Sequence, residues 1–442
     1  MKIALIMVKG GAYSFPNRPF FLKHMPDSLT LGMLHSIIKN SYPEIEVEIY
    51  DETVEIVKKE NINADIIGIS AITPAINRAI EYADFFHSKN IPVFLGGAHA
   101  TLAPNSCVEK FDSVLIGLAN DTLPELINDF QNNQLKKIYT LSASMSYDNF
   151  VFPSRHIYED KHILGTELNM VQATYGCSNI CKFCVQPYIC NGYHQRPVQN
   201  VLDEISKIES DYIEFVDPNF AKDLNYLKEI CTGLKNLKKT WFAPMTMAVI
   251  NNEENLKMLK DAGCTGVLIG FESINTTSID TISKGFNNIK QYENVVKMFH
   301  KYGIEVTGSF VLGLDGDNKE TASNTLNFIK SAQIDYVRFT INTPFPGTEY
   351  YEEMKKGGRL LTEDYNLYDC CHCVIKPSNL SAQEVEAVFE KLWKESHSLK
   401  NIIARLSYIK SPVERLKIIL KNYIFGKVYL NMVVKYDKRN KK

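Results

Sequence analysis

Short, continuously apolar segments alternate with amphipathic ones from the first residue to about residue 345. In the first third, the apolar runs include KIALIMV, ADIIGISA, PVFLGGAHA and SVLIGLA, and helical periodicity marks segments between them such as INRAIEYADFFHSKN. Strands that are apolar on both faces are typical of a parallel sheet covered by helices on both sides. Residues 1–140 are therefore predicted to form a doubly wound α/β domain, flavodoxin- or Rossmann-like, which binds its ligand beyond the carboxyl ends of the strands.

A second alternating array covers residues 166–348. Its predicted strands are LNMVQATYG, YIEFVD, KTWFAPM, GVLIGFE, VTGSFVLGL and YVRFTINTPF. Since a βαβ unit takes about 30 residues, six such units predict a (β/α)6 partial barrel with its active face at the strand ends. Residues 141–165 lack periodicity and are interpreted as a linker, and residues 349–442 are predicted to be mostly helical.

Charge and the first residues of the chain exclude several classes of protein. The 442 residues carry a net charge of −2, so no global positive field attracts nucleic acid. The apolar segment 1–8 is short for a signal peptide, so we interpret it as a strand and expect a cytoplasmic protein. No apolar stretch of about 18 residues predicts a membrane span, although the basic, aromatic tail is compatible with contact at a membrane surface.

Three cysteines fall within eight residues, directly after a predicted strand. Cys177, Cys181 and Cys184 form a CxxxCxxC motif in YGCSNICKFC. A [4Fe–4S] cluster on three thiolates leaves its fourth iron open to a small molecule, whereas structural zinc needs a fourth ligand, for which Cys190 and His194 are candidates. Burial of unreactive thiols is the third interpretation. The position of the motif at the start of a βα array favours the cluster.

This motif, with Phe183 before its last cysteine and a predicted barrel behind it, resembles that of the radical S-adenosylmethionine (SAM) superfamily. The resemblance implies that SAM binds the open iron through its amino and carboxylate groups and is reduced to methionine and a 5′-deoxyadenosyl radical. It also implies that Asp217 holds the SAM amino group and that Glu272 and Ser309 meet the ribose or the methionine carboxylate. Because the cofactor performs the chemistry, no catalytic side chain is assigned.

The first 140 residues resemble the cobalamin-binding domain of class B radical SAM enzymes. The resemblance is carried by SLTLGML from residue 28, GISAITPAINRA, GGAHATLAP from residue 96, and IGLANDTLPEL. The residues expected to contact cobalamin are Thr30, Ser70, Thr73, Gly96, Gly97, His99, Thr101 and Gly117. No Asp-x-His-x-x-Gly motif is present, so His99 is interpreted as a lining residue and not as an axial ligand. A domain retained only as a scaffold, without cobalamin, is the alternative.

Together the two resemblances imply an enzyme that methylates an unactivated carbon of a small-molecule or lipid substrate, with a flavodoxin or ferredoxin as electron donor. Oxidative cyclisation or rearrangement with the same cofactors is the alternative enzymatic function, and a zinc or electron-carrier module is the non-enzymatic one. Cys370, Cys371 and Cys373 are too close together to bind one ion and are interpreted as partly buried thiols, with a role at the substrate end of the site as the alternative.

Overall fold

A computed structural model describes residues 1–10, 29–142, 150–157, 169–190, 192–285 and 287–440, with side chains up to residue 430. The predictions for Ser28 and for most of the linker, residues 143–149 and 158–165, fall outside the described residues. The boundaries of the predicted domains stay predictions.

Six parallel strands form the N-terminal sheet, in the order β2-β1-β3-β4-β5-β6. They are β1 (Lys2–Met7), β2 (Glu46–Asp51), β3 (Ile66–Ser70), β4 (Val93–Gly96), β5 (Ser113–Ile116) and β6 (Ile138–Thr140). The accompanying helices are α1 (Thr30–Ser41), α2 (Ile76–His87), α3 (Ala98–Leu102) and α4 (Ala119–Gln131). The strand order reverses at β1 and β3, and such a reversal opens a crevice at the carboxyl ends. The predicted doubly wound fold is confirmed.

The side chains of β1 show why its sequence is apolar throughout. Ile3 and Leu5 belong to the hydrophobic core that contains residues of α1 and α4, whereas Ala4 and Ile6 belong to the core that contains residues of α2. All four are fully buried, because successive residues of a strand point to opposite faces and helices cover both faces here.

The barrel begins with β7 (Met170–Val171), followed by an antiparallel pair, β8 (Thr174–Gly176) and β9 (Tyr193–Gln195), with α5 (Gln186–Ile189) between them. Five parallel strands extend the sheet from β7 in chain order: β10 (Tyr212–Phe215), β11 (Thr240–Met245), β12 (Cys264–Glu272), β13 (Glu305–Leu312) and β14 (Tyr336–Ile341). The helices of this region are α6 (Val198–Ser206), α7 (Leu224–Leu237), α8 (Glu253–Asp261), α9 (Thr276–Thr281), α10 (Tyr292–Lys301) and α11 (Thr321–Ser331). This sequential parallel sheet, open between β7 and β14 in the described residues, agrees with the predicted partial barrel.

One detail of the predicted barrel is wrong, since the apolar run before the cysteines does not form a single strand. The chain leaves the sheet after Val171 because the carboxylate of Asp217 accepts hydrogen bonds from the backbone N–H groups of Ala173 (3.2 Å) and Thr174 (2.5 Å). The Thr174 hydroxyl donates to the same carboxylate at 2.6 Å. A buried amide must find an acceptor, and here a side chain replaces the neighbouring strand and turns the chain toward the cysteine motif.

The C-terminal region is helical, as predicted, and contains α12 (Glu349–Lys356), α13 (Ala382–Ser396), α14 (Leu399–Arg405) and α15 (Pro412–Asn440). It is anchored to the barrel near the start of β14, where the buried Asp335 lies 2.8 Å from His300 Nε2 and accepts a hydrogen bond from the Tyr408 hydroxyl. Among the described residues, no helix combines the length and apolarity needed to cross a membrane.

Candidate cofactor sites

A cleft of about 160 Å³ lies at the carboxyl ends of the barrel strands. It is lined by Cys177, Asn179, Cys181, Phe183, Cys184, Pro218, Asn219, Pro244, Met245, Thr246, Leu268, Gly270, Glu272, Lys284, Asn287 and Ser309. All the residues that the sequence predicts for the cluster and for SAM are therefore brought together here, except Asp217.

The cysteine loop holds its thiols in a compact turn. The backbone N–H of Cys184 donates to the carbonyl of Cys181 at 3.0 Å, and the N–H of Asn179 donates to the Cys177 sulfur at 3.5 Å. Burial raises the pKa of the Cys181 thiol to about 11. Because metal ligation requires the thiolate, occupation of this loop by a cluster releases protons.

Packing fixes the loop against the later part of the barrel. The backbone N–H of Lys182 donates to the carbonyl of Ile282 at 3.1 Å. The ring of Phe183 packs on a small hydrophobic cluster around Ile282 and Val311. The aromatic residue before the last cysteine therefore joins the loop to the segment after α9.

The donor set of the cleft, three thiols on one loop, fits a [4Fe–4S] cluster with one open iron. A [4Fe–4S] cluster distributes its thiolates over three irons. Cys190 and His194, the candidates for a fourth zinc ligand, do not line the cleft, and Cys190 packs against Phe150 and Tyr175 instead.

A buried ion pair lies in the wall of the cleft. Lys284 Nζ contacts Glu272 Oε1 and donates to the carbonyl of Gly270 at 3.1 Å, and the side chains of the pair are 10% and 8% exposed. The register of β12 against β13 shifts between Gly270 and Glu272, and Glu272 has a φ of +61°. Such a bulge redirects a side chain. The sequence analysis predicted Glu272 as a site residue but not Lys284, because a local sequence pattern does not show which loop folds back over the end of a strand.

Asp217 does not reach the cleft. Its side chain is almost fully buried, and both carboxylate oxygens accept the hydrogen bonds from Ala173 and Thr174 described above. Burial raises the pKa of Asp217 to about 6, against the opposing effect of these hydrogen bonds. The structure therefore gives Asp217 a role in positioning the segment before the cysteines, while its neighbours Pro218 and Asn219 line the cleft.

A larger crevice of about 390 Å³ lies beyond the N-terminal sheet. It is lined by Leu29, Thr30, Met33, Leu34, Ile37, Gly68, Ile69, Ser70, Phe94, Gly96, Gly97, Ala98, Thr101, Leu115, Gly117, Leu118, Ala119, Asn120, Phe150, Met170, Gln172, Tyr175, Ile189 and Val216. Six of the eight residues predicted to contact cobalamin are among them, and none of these 24 described residues is charged.

Glycines and a small hydroxyl form the part of the crevice wall at the strand ends. A Cβ atom built on Gly96 would have no atom within 4 Å, so the open space begins directly at the backbone. Gly97 has a φ of +96°, and a Cβ there would lie 2.7 Å from the carbonyl oxygen of Ala71. The hydroxyl of Thr101 accepts a hydrogen bond from the backbone N–H of Gly117 at 2.9 Å, which joins two of the strand-end loops. These residues fit cobalamin.

The other two residues predicted to contact cobalamin, Thr73 and His99, are not among those that line the crevice. His99 is fully buried, with its Nδ1 at 3.2 Å from the Thr73 hydroxyl and its ring centroid 5.3 Å from that of Tyr365. Burial lowers the pKa of His99 to about 4. The GGAHAT segment therefore directs its glycines to the crevice and its histidine to the contact with the region after the barrel.

Part of the crevice wall comes from residues that follow the N-terminal sheet in the chain. The sequence analysis did not predict this part. It consists of Phe150, Met170, Gln172, Tyr175, Ile189 and Val216. No local signal marks these residues, because they cover the crevice only once the barrel is in place. The nearby Arg196 is 1% exposed and forms an ion pair with Glu204.

Two family models match the two halves of this architecture. The model of the Radical SAM superfamily matches residues 171–329, and the model of the B12 binding domain matches residues 34–127. The chain belongs to the cobalamin-binding radical SAM enzymes. The [4Fe–4S] cluster, SAM and cobalamin are therefore its cofactors, as predicted, and the non-enzymatic alternative is set aside.

Matches to known proteins extend over nearly the whole of this radical SAM enzyme. Bacteriochlorophyllide d C-12(1)-methyltransferase of Chlorobaculum tepidum is 27% identical over 414 residues, which are 91% of this chain and 86% of that protein. The cobalamin-dependent SAM radical enzyme OxsB has a TM-score of 0.69 at 16% identity, over 97% of this chain and 71% of OxsB. The methyltransferase TsrM of Kitasatospora setae, solved with cobalamin and a [4Fe–4S] cluster, has a TM-score of 0.66 at 14% identity, over 96% of this chain and 99% of TsrM.

Proposed function

We propose that this enzyme transfers a methyl group to an unactivated carbon of a small-molecule or lipid substrate, with cobalamin as the methyl carrier. The observation that carries the proposal is that the cleft and the crevice share a wall. A relative named for methylation at a defined carbon, aligned over 91% of this chain, supports it.

The shared wall consists of two short segments that each contribute to both sites. In the first segment Tyr175 lines the crevice and Cys177 lines the cleft, and in the second segment Val216 lines the crevice and Pro218 lines the cleft. Residues two apart in an extended chain are separated by at most about 7 Å. A substrate bound at this wall is therefore within reach of ligands in both sites.

In the cleft, the thiolates of Cys177, Cys181 and Cys184 would hold the cluster. Lys284 and Glu272 would hold the methionine end of SAM, with its carboxylate beside Lys284 and its ammonium group beside Glu272. Without SAM the two side chains neutralise each other, which avoids a buried unpaired charge. When bound, the cluster supplies the electron that cleaves SAM, and cobalamin carries the methyl group.

In the crevice, close contact with the protein backbone and hydrogen bonds with small hydroxyl groups would hold cobalamin. Gly96 leaves room for the macrocycle, and Thr30, Ser70 and Thr101 place hydroxyl groups around it. The uncharged lining suits a ligand that is held through contact area and amide hydrogen bonds.

Product analysis after anaerobic reconstitution with iron, sulfide and hydroxocobalamin tests the proposed function. We expect iron and cobalt in the purified protein and, with SAM and dithionite, both 5′-deoxyadenosine and S-adenosylhomocysteine, the latter only when cobalamin is bound. Formation of 5′-deoxyadenosine without any S-adenosylhomocysteine would contradict methyl transfer and favour oxidative cyclisation or rearrangement. Protein that contains zinc and leaves SAM intact would contradict both.

The electron donor and the cytoplasmic location stay predictions. A flavodoxin or ferredoxin is compatible with the exposure of the cysteine loop, in which the Ile180 side chain is 78% exposed between two of the predicted ligands. Reduction by either purified donor, measured as SAM cleavage without dithionite, tests this part of the proposal.

A further inference from the structure

The C-terminal helix α15 presents an apolar stripe to solvent. Val413, Leu416, Leu420 and Ile424 are 64%, 56%, 50% and 48% exposed. Spacings of three and four residues place them on one side of the helix, over a length of about 16 Å. Four adjacent exposed aliphatic side chains on one face differ from the single exposed ones that are normal on a protein surface.

The opposite face of α15 is the one that packs on the protein. Ile418 and Asn422 are buried there, and Asn422 Oδ1 accepts a hydrogen bond from the buried Arg405 Nη2 at 2.6 Å. A Cβ atom on Gly426 would lie 2.2 Å from the Cβ of His397, which shows how closely this face approaches the body. The apolar stripe therefore points away from the protein and contributes nothing to its core.

Lysines border the stripe. Lys417, Lys421 and Lys427 are exposed along the same part of α15. The last 44 residues contain twelve lysine and arginine residues and two acidic ones, although the whole chain has a net charge of −2. The C-terminal segment of the sequence that includes α15 therefore carries an excess of positive charge.

We propose that the outer face of α15 binds to the surface of an anionic lipid membrane. The four aliphatic side chains would enter the interface between headgroups and acyl chains, and the flanking lysines would contact anionic headgroups. A second copy of the chain fits this surface less well, because it would bring the same lysines into opposition. This proposal is independent of the methyl-transfer chemistry.

Helix α14 extends the proposed surface. Leu399 and Ile403 lie four residues apart on it and are 48% and 45% exposed. The carbonyl of Ile403 accepts a hydrogen bond from Arg415 Nη2 at 3.2 Å, so α14 and α15 are joined next to the stripe. Two exposed apolar helices held together at this edge increase the area available to a membrane.

Vesicle flotation with the full-length protein tests the proposal. We expect the protein to float with vesicles of phosphatidylcholine and phosphatidylglycerol and to bind vesicles of phosphatidylcholine alone at least tenfold less, with binding that weakens as salt is raised. The variant Leu416→Ser, Leu420→Ser, Ile424→Ser should lose at least tenfold in binding. Its matched control is Ile56→Ser, Leu361→Ser, which removes exposed aliphatic side chains (88% and 52% exposed) elsewhere and should bind as the wild type does.

Two charge-reversal variants distinguish the contribution of the α15 lysines to binding from that of the net charge of the protein. Lys417→Glu, Lys421→Glu, Lys427→Glu should lose binding at least tenfold, whereas Lys110→Glu, Lys228→Glu, Lys257→Glu, at three exposed lysines elsewhere, should lose much less. Circular dichroism and SAM cleavage should be the same in all these variants. The proposal would be overturned if the wild-type protein did not bind anionic vesicles, or if the variant Leu416→Ser, Leu420→Ser, Ile424→Ser bound them as the wild type does. A dimer that the same variant converts to a monomer would also overturn it.

Discussion

The cleft of the barrel and the crevice of the N-terminal sheet both lie at the carboxyl ends of parallel strands, but they are lined by different chemistry. The cleft, of about 160 Å³, contains three thiols and the Glu272–Lys284 ion pair. The crevice, of about 390 Å³, has 24 described lining residues without a charge among them. The difference matches the ligands, since SAM carries charges at its methionine end and cobalamin presents a broad face bordered by amides.

The two sites therefore depend on opposite properties of the chain. In the cleft, a few side chains supply ligands and charges, and the loss of one leaves an open coordination position or an unpaired buried charge. In the crevice, the absence of a side chain at Gly96 leaves open space for the ligand, and any single hydroxyl contributes little. Removing a side chain should damage the cleft most, and adding one should damage the crevice most.

The largest effect is expected from Cys181→Ala. Loss of one of three thiolates should prevent cluster assembly and reduce SAM cleavage below detection, measured as 5′-deoxyadenosine under dithionite. Cobalamin binding should stay within about twofold of the wild type, because Cys181 does not line the crevice. The control is Cys190→Ala, which alters a neighbouring buried thiol outside the cleft and should retain both cofactors. Retained cleavage in Cys181→Ala would remove the basis for the cluster site.

Lys284→Gln should weaken SAM binding without affecting cobalamin. Loss of a charged partner of a carboxylate is worth about 1.5–3 kcal/mol, so the KM for SAM should rise by about 10- to 100-fold. Lys182→Gln is the matched control, because this lysine belongs to the cysteine loop but pairs with Glu353 at its surface. An unchanged KM in Lys284→Gln, with both cofactors loaded, would show that the SAM carboxylate binds elsewhere.

The variant Gly96→Val adds a side chain to the wall of the crevice, whereas the variants above remove functional groups from the cleft. Because a Cβ at this position meets nothing in the protein, folding should change little, while cobalamin affinity should fall about tenfold as the side chain occupies the space of the macrocycle. Ser70→Ala, which removes a hydroxyl from the same wall, should lower the affinity by only about threefold. Equilibrium dialysis with hydroxocobalamin measures both. A larger loss of cobalamin affinity for Ser70→Ala than for Gly96→Val would contradict the expectation that the crevice depends more on open space than on single hydroxyl groups.

The sequence predicted which strand ends form the sites but not which side chains face them. Apolar runs and glycines mark strand ends, and the family resemblance assigned Gly96, Glu272 and Ser309 to the two sites at those ends. Asp217 and His99 follow other strand ends, yet both are buried, because Asp217 accepts hydrogen bonds from Ala173 and Thr174 and His99 packs against Thr73 and Tyr365. Lys284 reaches the cleft from the loop after α9, and Tyr175 reaches the crevice from β8 of the barrel, and no local pattern predicts such long-range contacts.

The smallest effect, expected from His99→Gln, tests the boundary of the crevice. Burial lowers the pKa of His99 to about 4, so between pH 7 and pH 6 the unfolded chain takes up protons that the native protein excludes, and stability falls as pH falls. From the ordinary pKa of 6.5, this loss is about 0.7 kcal/mol in the wild type. The glutamine amide can keep the bond to Thr73 but does not titrate, so urea unfolding at the two pH values should show a shallower pH dependence of the free energy of unfolding.

Because His99 lies behind the crevice, the variant should still bind cobalamin as the wild type does. Lost cobalamin binding with an unchanged pH dependence would instead place the imidazole inside the site.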